Sequence, residues 1–185
     1  MPISRILAVD DDPEILASYQ SVFANNKNTN ALDDLANQLF DMDFPEKDKD
    51  SFEEFSEGVV IDDDLDISGF EITLASQGQE AIHKVRQALE ANNPFHVIFL
   101  DMRMPPGING KDTAYVIRQI DPLVEIIIMT AYSDYSVEEI VQDIGTSSNF
   151  QYFRKPFDPD HIIQLAISST KRWHLDQKNA QHDIH

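Results

Sequence analysis

Four carboxylates directly follow short apolar runs of the chain. The segment RILAVDDDPEIL carries Asp10, Asp11 and Asp12 in succession, and VIFLDMRMPP places Asp101 after four apolar residues. Carboxylates that a fold brings together repel one another unless a cation compensates their charge. The pattern therefore predicts a site that holds positive charge.

Five apolar runs have the length of strands and could position these residues. Three of them are almost continuously apolar, as are strands covered on both faces. The runs span residues 5–9, 70–75, 95–100, 124–129 and 150–154. Apolar residues spaced three or four apart predict helices at 13–24, 78–91, 110–120, 134–144 and 158–173. This alternation predicts an α/β fold, a parallel sheet with helices on both faces.

The carboxyl ends of such strands form one crevice, where doubly wound sheets bind their ligands. This rule brings together Asp10 and Asp11 after the first strand with residues that end later strands, namely Asp101, Thr130 and Lys155. Oxygen ligands without His or Cys favour Mg²⁺. A metal ion, an ammonium and a hydroxyl around one carboxylate form a receptor for a phosphoryl group, so Asp101 is the predicted nucleophile of an aspartyl-phosphate.

The composition limits the classes of function. The 185 residues include 33 Asp and Glu against 14 Lys and Arg, a formal net charge of -19 that argues against direct binding of a nucleic-acid backbone. Without cysteine there is neither a disulfide nor a thiolate metal site. The sequence has no apolar stretch typical of a signal peptide or a membrane span. A cytoplasmic protein without membrane contact is therefore expected.

One connection is far longer than its neighbours. Between the first helix and the second strand lies an insertion at about 25–69, where a few residues would suffice, and this stretch holds 14 Asp and Glu and 3 Lys. Residues 31–42, ALDDLANQLFDM, predict a helix with an apolar stripe of Leu32, Leu35, Ala36, Leu39 and Phe40. A polar loop and the acidic IDDDLD follow. Both an elaborated, solvated connection and a partner-binding element fit this composition.

Four motifs in this order closely resemble the receiver domain of two-component response regulators, the fold of the chemotaxis protein CheY. They are ILAVDDDPEIL, VIFLDMRMPP with a following NG, IIIMTAY and YFRKPF. The resemblance runs from Ser4 to about Trp173, apart from the insertion. It implies a flavodoxin-like sheet of order 2-1-3-4-5. It also implies a receiver domain at 1–175 and, at 176–185, a polar tail or the start of a linker to an effector.

The resemblance assigns roles to the residues of the crevice. Asp101 becomes the phosphoacceptor, and Mg²⁺ is bound by Asp10 through water, by Asp11 and Asp101, and by the backbone carbonyl of Arg103. Asp12 falls outside this set and is expected at the start of the first helix, where a carboxylate is favourable.

A switch is implied as well. By this resemblance, phosphorylation would draw the hydroxyl of Thr130 toward the phosphoryl group, which Lys155 would contact. Tyr152 would then turn inward. Lys155 and Pro156 resemble the family's lysine–proline pair, which has a cis bond. The output surface would be the fourth helix, fifth strand and fifth helix, roughly 134–173, which is also a candidate homodimer interface. The implied partners are a sensor histidine kinase or phosphotransfer protein and a downstream effector domain or protein.

Two other classes of function could use similar residues. Aspartate-nucleophile phosphatases of the haloacid-dehalogenase class carry DxDx(T/V), and residues 10–14 lack its Thr or Val. A phosphorylation-independent, receiver-like interaction module is the main alternative, although all the site residues are present. The resemblance implies no enzyme beyond the chain's own Mg²⁺-dependent phosphorylation and slow dephosphorylation. Two departures stand out: the loop MPPGING is one residue longer than usual, and the insertion should join the fold away from the site.

Overall fold

A computed structural model of the chain describes residues 3–25, 69–131 and 150–182. The strands in these ranges are β1 (Ser4–Val9), β2 (Phe70–Ala75), β3 (Val97–Asp101), β4 (Glu125–Thr130) and β5 (Phe150–Arg154). The helices are α1 (Pro13–Asn25), α2 (Gly78–Glu90), α3 (Gly110–Ile120) and α4 (Pro159–His182). The predicted helices at 31–42 and 134–144, and the polar loop and IDDDLD segment of the insertion, lie outside the described residues.

The five strands form one parallel sheet of order β2-β1-β3-β4-β5, so the predicted fold class and strand order are confirmed. The register places Val9 of β1 beside Leu100 of β3, and Asp101 beside Met129 of β4. Thr130 in turn pairs with Arg154 at the end of β5. The five parallel strands therefore all end at the same edge of the sheet. Residues that follow β1, β3, β4 and β5 meet there, next to the point between β1 and β3 where the strand order reverses.

Apolar side chains cover both faces of the sheet. Alternate residues of β1 point to opposite sides, with Ile6 and Ala8 in the core under α1 and α4, and Leu7 and Val9 in the core under α2 and α3. All of these β1 residues are fully buried or nearly so. Burial on both faces explains why the strands read as nearly continuous apolar runs.

The stretch at 26–68 joins the fold at the edge opposite the strand ends that carry the carboxylates. The backbone nitrogen of Ser4, at the start of β1, donates to the carbonyl of Gly69 at 2.9 Å. Phe23, near the end of α1, packs against Phe70 with ring centroids 5.4 Å apart. The prediction that the insertion joins away from the site is therefore confirmed.

The C-terminal helix is longer than its predicted core of 158–173. Trp173 packs against His96, just before β3, with ring centroids 4.1 Å apart, and His96 Nδ1 accepts a hydrogen bond from the backbone nitrogen of Arg5 at 2.8 Å. Trp173 thus marks the amino edge of the sheet. The helix continues to His182, about 13 Å further at 1.5 Å per residue. None of the described helices combines the length and apolar character of a membrane span.

Glu125 begins β4 with a carboxylate that is completely buried. Within the described part of the chain neither of its oxygens has a hydrogen bond of acceptable geometry, and the Arg172 guanidinium lies 3.9 Å away. Burial raises the pKa of Glu125 to about 8, although Arg172 acts in the opposite direction. When the pKa of a carboxyl is higher in the folded than in the unfolded chain, the free energy of unfolding falls as the pH rises above the unfolded-state pKa.

We predict that Glu125→Gln stabilises the chain at alkaline pH. Between pH 4.5 and about 8 the folded carboxyl holds a proton that the unfolded one releases. At about pH 8 the free energy of unfolding should therefore rise by roughly 1–4 kcal/mol, and this gain should shrink toward acid pH. Urea unfolding at several pH values measures the difference. Glu90→Gln, at an exposed site, is the matched control and should stay within about 0.5 kcal/mol at every pH.

Candidate functional site

Three carboxylates meet at the carboxyl edge of the sheet. Asp10 follows β1 and Asp101 ends β3, and both are buried, whereas Asp11 is exposed. Each of the three offers a ligand oxygen, and these oxygens all lie within 4.8 Å of one another. Oxygen donors at this spacing fit a hard divalent cation such as Mg²⁺. The structure thus brings together the three carboxylates that the strand-end rule grouped, and their roles remain predictions.

Asp12 has a different role from its two neighbours. Its side chain accepts a hydrogen bond from the backbone nitrogen of Glu14 at 2.8 Å, and its carbonyl accepts from the nitrogen of Leu16 at 3.1 Å. These bonds make Asp12 the N-cap of α1, ahead of Pro13 in the first turn. The prediction for Asp12 is confirmed.

Lys155 reaches the carboxylates from the loop after β5. Its Nζ donates to Asp10 Oδ2 at 2.6 Å and to Asp101 Oδ1 at 2.5 Å. Its backbone nitrogen donates to the carbonyl of Thr130 at 2.9 Å, which ties this loop to the end of β4. The following bond to Pro156 is cis, as the resemblance implied. One ammonium therefore bridges the two buried carboxylates and leaves the exposed one without this compensation.

The electrostatics of the site favour an additional cation. Burial raises the pKa of Asp101 above its ordinary value, although the hydrogen bond from Lys155 lowers it and the charge of Asp10 raises it further. Burial alone would lower the pKa of Lys155, but its hydrogen bonds to the two carboxylates outweigh this and raise the pKa. With one ammonium against three carboxylates, a divalent cation would balance the remaining charge.

The loop after β3 holds the backbone against Asp101. The backbone nitrogen of Arg103 donates to Asp101 Oδ2 at 2.8 Å, so residue 103 lies beside the acceptor carboxylate. The nitrogen of Gly110 donates to the carbonyl of Met102 at 2.9 Å and closes the loop onto the start of α3. The carbonyl of Arg103 as a metal ligand remains a prediction.

The two predicted switch residues lie on neighbouring strands. Thr130 is buried at the end of β4, and its hydroxyl donates to the carbonyl of Ala131 at 3.1 Å. Tyr152 pairs with Ile128 of β4 and packs, half-buried, against the core under α2 and α3. Burial raises the pKa of Tyr152 to about 12, so its hydroxyl is neutral at physiological pH. Their roles as switch residues remain predictions.

Sequence reasoning missed two residues next to the site. Tyr19 of α1 is buried between Phe99 and Phe157, with ring centroids 5.4 and 5.1 Å away. Burial raises the pKa of Tyr19 well above 10, and the charges of Asp10 and Asp101 add to the effect. Its only sequence signal is its place on the apolar face of α1.

Gly110 is the second missed residue. A Cβ there would lie 2.2 Å from the backbone oxygen of Asp101, a closeness that only glycine permits. Gly110 thus lets the start of α3 approach the acceptor strand. The sequence signals for this position are the predicted start of a helix and the NG pair of the receiver motifs, and neither indicates this close contact with the backbone of Asp101.

Comparison with protein families identifies the matching region. Residues 59–167 match the family model described as the response regulator receiver domain, which is more than half of the chain. The match begins within the stretch that separates α1 from β2. The matched region therefore does not include β1. Asp10 and Asp11 lie next to the matched region because β1 pairs with β3 in the sheet.

Curated relatives are similar to somewhat more than half of the chain. The chain is 31% identical over 125 residues to the transcriptional regulatory protein ZraR of Escherichia coli K12, covering 60% of this chain and 26% of ZraR. It is 33% identical over 125 residues to the DNA-binding transcriptional regulator NtrC of Salmonella typhimurium, covering 64% of this chain and 26% of NtrC. The chain thus matches about a quarter of the length of these relatives.

Solved structures show the same fold. A CheY-like response regulator receiver domain protein from Methanospirillum hungatei aligns with a TM-score of 0.60 at 17% identity, over 95% of this chain and 99% of that one. The CheX-CheY-BeF3-Mg+2 complex from Borrelia burgdorferi aligns with a TM-score of 0.55 at 17% identity, over 89% of this chain and 87% of that one.

We predict that Gly110→Ala destabilises the chain, because the new Cβ would press on the backbone of Asp101 rather than on a side chain that can move. The free energy of unfolding should fall by about 2 kcal/mol or more, measured by urea unfolding. Gly107→Ala is the matched control, since its Cβ would clash with the flexible end of Gln77 and would lie at an ordinary contact distance of 3.5 Å from the backbone oxygen of Met104. Equal stability of the two variants would contradict the close packing of α3 on the acceptor strand.

Proposed function

The chain belongs to the response regulator receiver domain family, and from this membership we propose that it accepts a phosphoryl group on Asp101 in a Mg²⁺-dependent reaction. The observation that carries the proposal is the cluster of Asp10, Asp11 and Asp101, with ligand oxygens within 4.8 Å and Lys155 bonded to two of them. A receiver of a two-component system needs this set of groups: a nucleophilic carboxylate, ligands for a metal ion and an ammonium for the phosphoryl oxygens.

Asp101, Lys155 and Thr130 would each have a different role in the phosphoryl transfer. A carboxylate oxygen of Asp101 attacks the phosphorus of a donor phosphohistidine, the P–N bond breaks, and the imidazole leaves with the electron pair of that bond. Lys155, already between two carboxylates, pairs with an oxygen of the transferred group. The hydroxyl of Thr130 donates a hydrogen bond to another oxygen. The product is an acyl phosphate on Asp101, which water slowly hydrolyses.

The proposed metal ligands are the oxygens of the acidic cluster. Asp11 and Asp101 would bind Mg²⁺ directly, Asp10 would bind it through water, and the carbonyl of Arg103 would complete the protein's share. When bound, Mg²⁺ supplies positive charge that neutralises the phosphoryl oxygens and the carboxylates together. The backbone nitrogen of Arg103 at 2.8 Å from Asp101 supports this assignment, because it holds that residue beside the acceptor.

Phosphorylation is proposed to act on the rest of the fold through β4 and β5. Thr130 ends β4, and its carbonyl accepts a hydrogen bond from the backbone nitrogen of Lys155. A movement of Thr130 or Lys155 toward the phosphoryl group would therefore shift the ends of both β4 and β5. We expect the Thr130 hydroxyl to leave the carbonyl of Ala131 and Tyr152 to turn further inward. The surface that would respond is roughly 134–173, the proposed docking and homodimer surface.

The chain would act between a donor and an effector. A sensor histidine kinase or phosphotransfer protein would supply the phosphoryl group. ZraR and NtrC are named as transcriptional regulators, which supports a regulator with an effector part as the output. We propose residues 1–175 as the receiver domain. The continuation of α4 to His182 supports residues 176–185 as the start of a linker rather than a free tail.

We predict that the chain gains one phosphoryl group when incubated with acetyl phosphate and Mg²⁺, seen as a single increment in intact mass. Asp101→Asn should abolish the increment, because an amide is not a nucleophile for this transfer. Asp12→Asn is the matched control: it removes the same charge two residues from Asp10, yet asparagine caps a helix as well as aspartate does. This variant should be phosphorylated like the unaltered chain.

The result that would contradict the proposal is an unmodified chain that is also silent to Mg²⁺ with beryllofluoride. That outcome would favour the phosphorylation-independent interaction module. An adduct that persists in Asp101→Asn would move the acceptor to another carboxylate.

We predict separately that Asp11→Asn weakens Mg²⁺ binding, because Asp11 is the exposed carboxylate that Lys155 does not neutralise in the described contacts. Titration calorimetry should show a loss of affinity of about 10-fold or more. Asp12→Asn again serves as the control and should bind Mg²⁺ with little change. Equal affinities for the two variants would remove Asp11 from the ligand set.

A further inference from the structure

Tyr19 of α1 has a hydroxyl that is buried without a hydrogen bond. Only 1% of the residue is exposed, and in the described part of the chain its hydroxyl oxygen has no partner. A polar group buried in this way costs stability that a phenylalanine would not cost. Burial also raises the pKa of Tyr19 well above 10, so the hydroxyl is a neutral donor at physiological pH. An unpaired buried donor needs an explanation, and an acceptor in another state of the chain is one.

Two phenylalanines hold the Tyr19 ring beside the acidic cluster. Phe99 lies on β3 two residues before Asp101, and its ring centroid is 5.4 Å from that of Tyr19. Side chains two residues apart on a strand point to the same face of the sheet, so Asp101 follows Phe99 along this face. Phe157 comes two residues after Lys155, and its ring centroid is 5.1 Å from that of Tyr19. Tyr19 therefore packs against the two segments that carry the acceptor and the ammonium.

The direction of α1 points the Tyr19 hydroxyl toward the carboxylates. The helix begins at Pro13, three residues after Asp10, and its end contacts the start of β2 at the amino edge of the sheet. Long side chains on an α-helix lean toward its N-terminus. The hydroxyl at the tip of Tyr19 therefore lies nearer the acidic cluster than its backbone does. In keeping with this direction, the negative charges of Asp10 and Asp101 raise the pKa of Tyr19 further.

Asp10 is the carboxylate whose hydrogen bonds phosphorylation would change. Its Oδ1 accepts from the backbone nitrogen of Asp12 at 3.0 Å, and its Oδ2 accepts from Lys155 Nζ at 2.6 Å. In the proposed function Lys155 pairs with an oxygen of the transferred phosphoryl group. This pairing draws the ammonium away from Asp10 Oδ2, and a buried carboxylate oxygen that loses its donor is costly.

We propose that the Tyr19 hydroxyl donates to Asp10 in the phosphorylated state and replaces the bond that Lys155 gives up. Tyr19 is then a positioning residue, which acts through Asp10 and does not contact the phosphoryl group. The inference rests on the proposed function, because phosphorylation of Asp101 is what draws Lys155 away. Its consequence is a hydroxyl that contributes after phosphorylation and not before.

Tyr19→Phe tests the proposal, because phenylalanine keeps the ring between Phe99 and Phe157 and removes only the hydroxyl. Beryllofluoride with Mg²⁺ is the probe for the phosphorylated state. The affinity for beryllofluoride at saturating Mg²⁺, measured by titration calorimetry, should fall about 10-fold or more, as expected for one lost hydrogen bond to a charged group. The affinity for Mg²⁺ alone should stay almost unchanged, because Lys155 still donates to Asp10 in that state.

Tyr115→Phe is the matched control, since it removes a hydroxyl from a residue on α3 that is 56% exposed. It should change neither affinity. Urea unfolding of the ligand-free chain separates the proposed role from a structural one. Tyr19→Phe should leave the free energy of unfolding equal or higher, because it removes an unpaired buried hydroxyl.

Equal beryllofluoride affinities of Tyr19→Phe and the unaltered chain would overturn the inference and leave the proposed function intact. A parallel loss of Mg²⁺ affinity, or a less stable ligand-free variant, would also overturn it, because the hydroxyl would then act before phosphorylation. An unaltered chain that does not bind beryllofluoride would overturn the proposed function and this inference with it.

Discussion

Repulsion among carboxylates at one edge of the sheet is the constraint on which the functional part of this structure depends. Asp10 and Asp101 are buried next to each other, and such a pair is stable only beside a compensating charge. Lys155 supplies it from 145 residues further along the chain than Asp10. The ammonium is in place only when β5 has joined the sheet, so the site exists only once the fold is complete. The negative charge of the exposed Asp11 is not compensated by Lys155 in the described contacts. This remaining charge suits the carboxyl edge of the sheet to bind a metal ion, and with it a phosphoryl group.

Much of the fold and the site could be predicted from the sequence, because both rest on strong local patterns. Strands buried on both faces leave apolar runs such as VIFL, and residues that end parallel strands share one edge. Features set by distant contacts left no such pattern. Gly110 looks like any helix start until the backbone of Asp101 is known to lie under it. Glu125 is a polar residue at the start of an apolar run, yet it is buried beneath α4. The polar residues after Trp173 have no clear helical period, and the expectation that the last helix runs past Trp173 is confirmed by its continuation to His182.

The long stretch between α1 and β2 shows how the fold keeps an addition apart from its chemistry. Its two ends meet the sheet at the amino edge, where Ser4 bonds to Gly69 and Phe23 contacts Phe70. The entropic cost of closing a loop rises only slowly with its length, so the sheet can tolerate such an addition.

Identification of the phosphorylated residue would test the central claim most directly. Borohydride reduces an aspartyl-phosphate to homoserine, whereas unmodified aspartate is unaffected. The chain should be phosphorylated with acetyl phosphate and Mg²⁺, reduced, digested and sequenced by mass spectrometry. The account predicts homoserine at position 101 and aspartate at positions 10, 11 and 12. Homoserine at one of those three positions, or at none of the four, would contradict it.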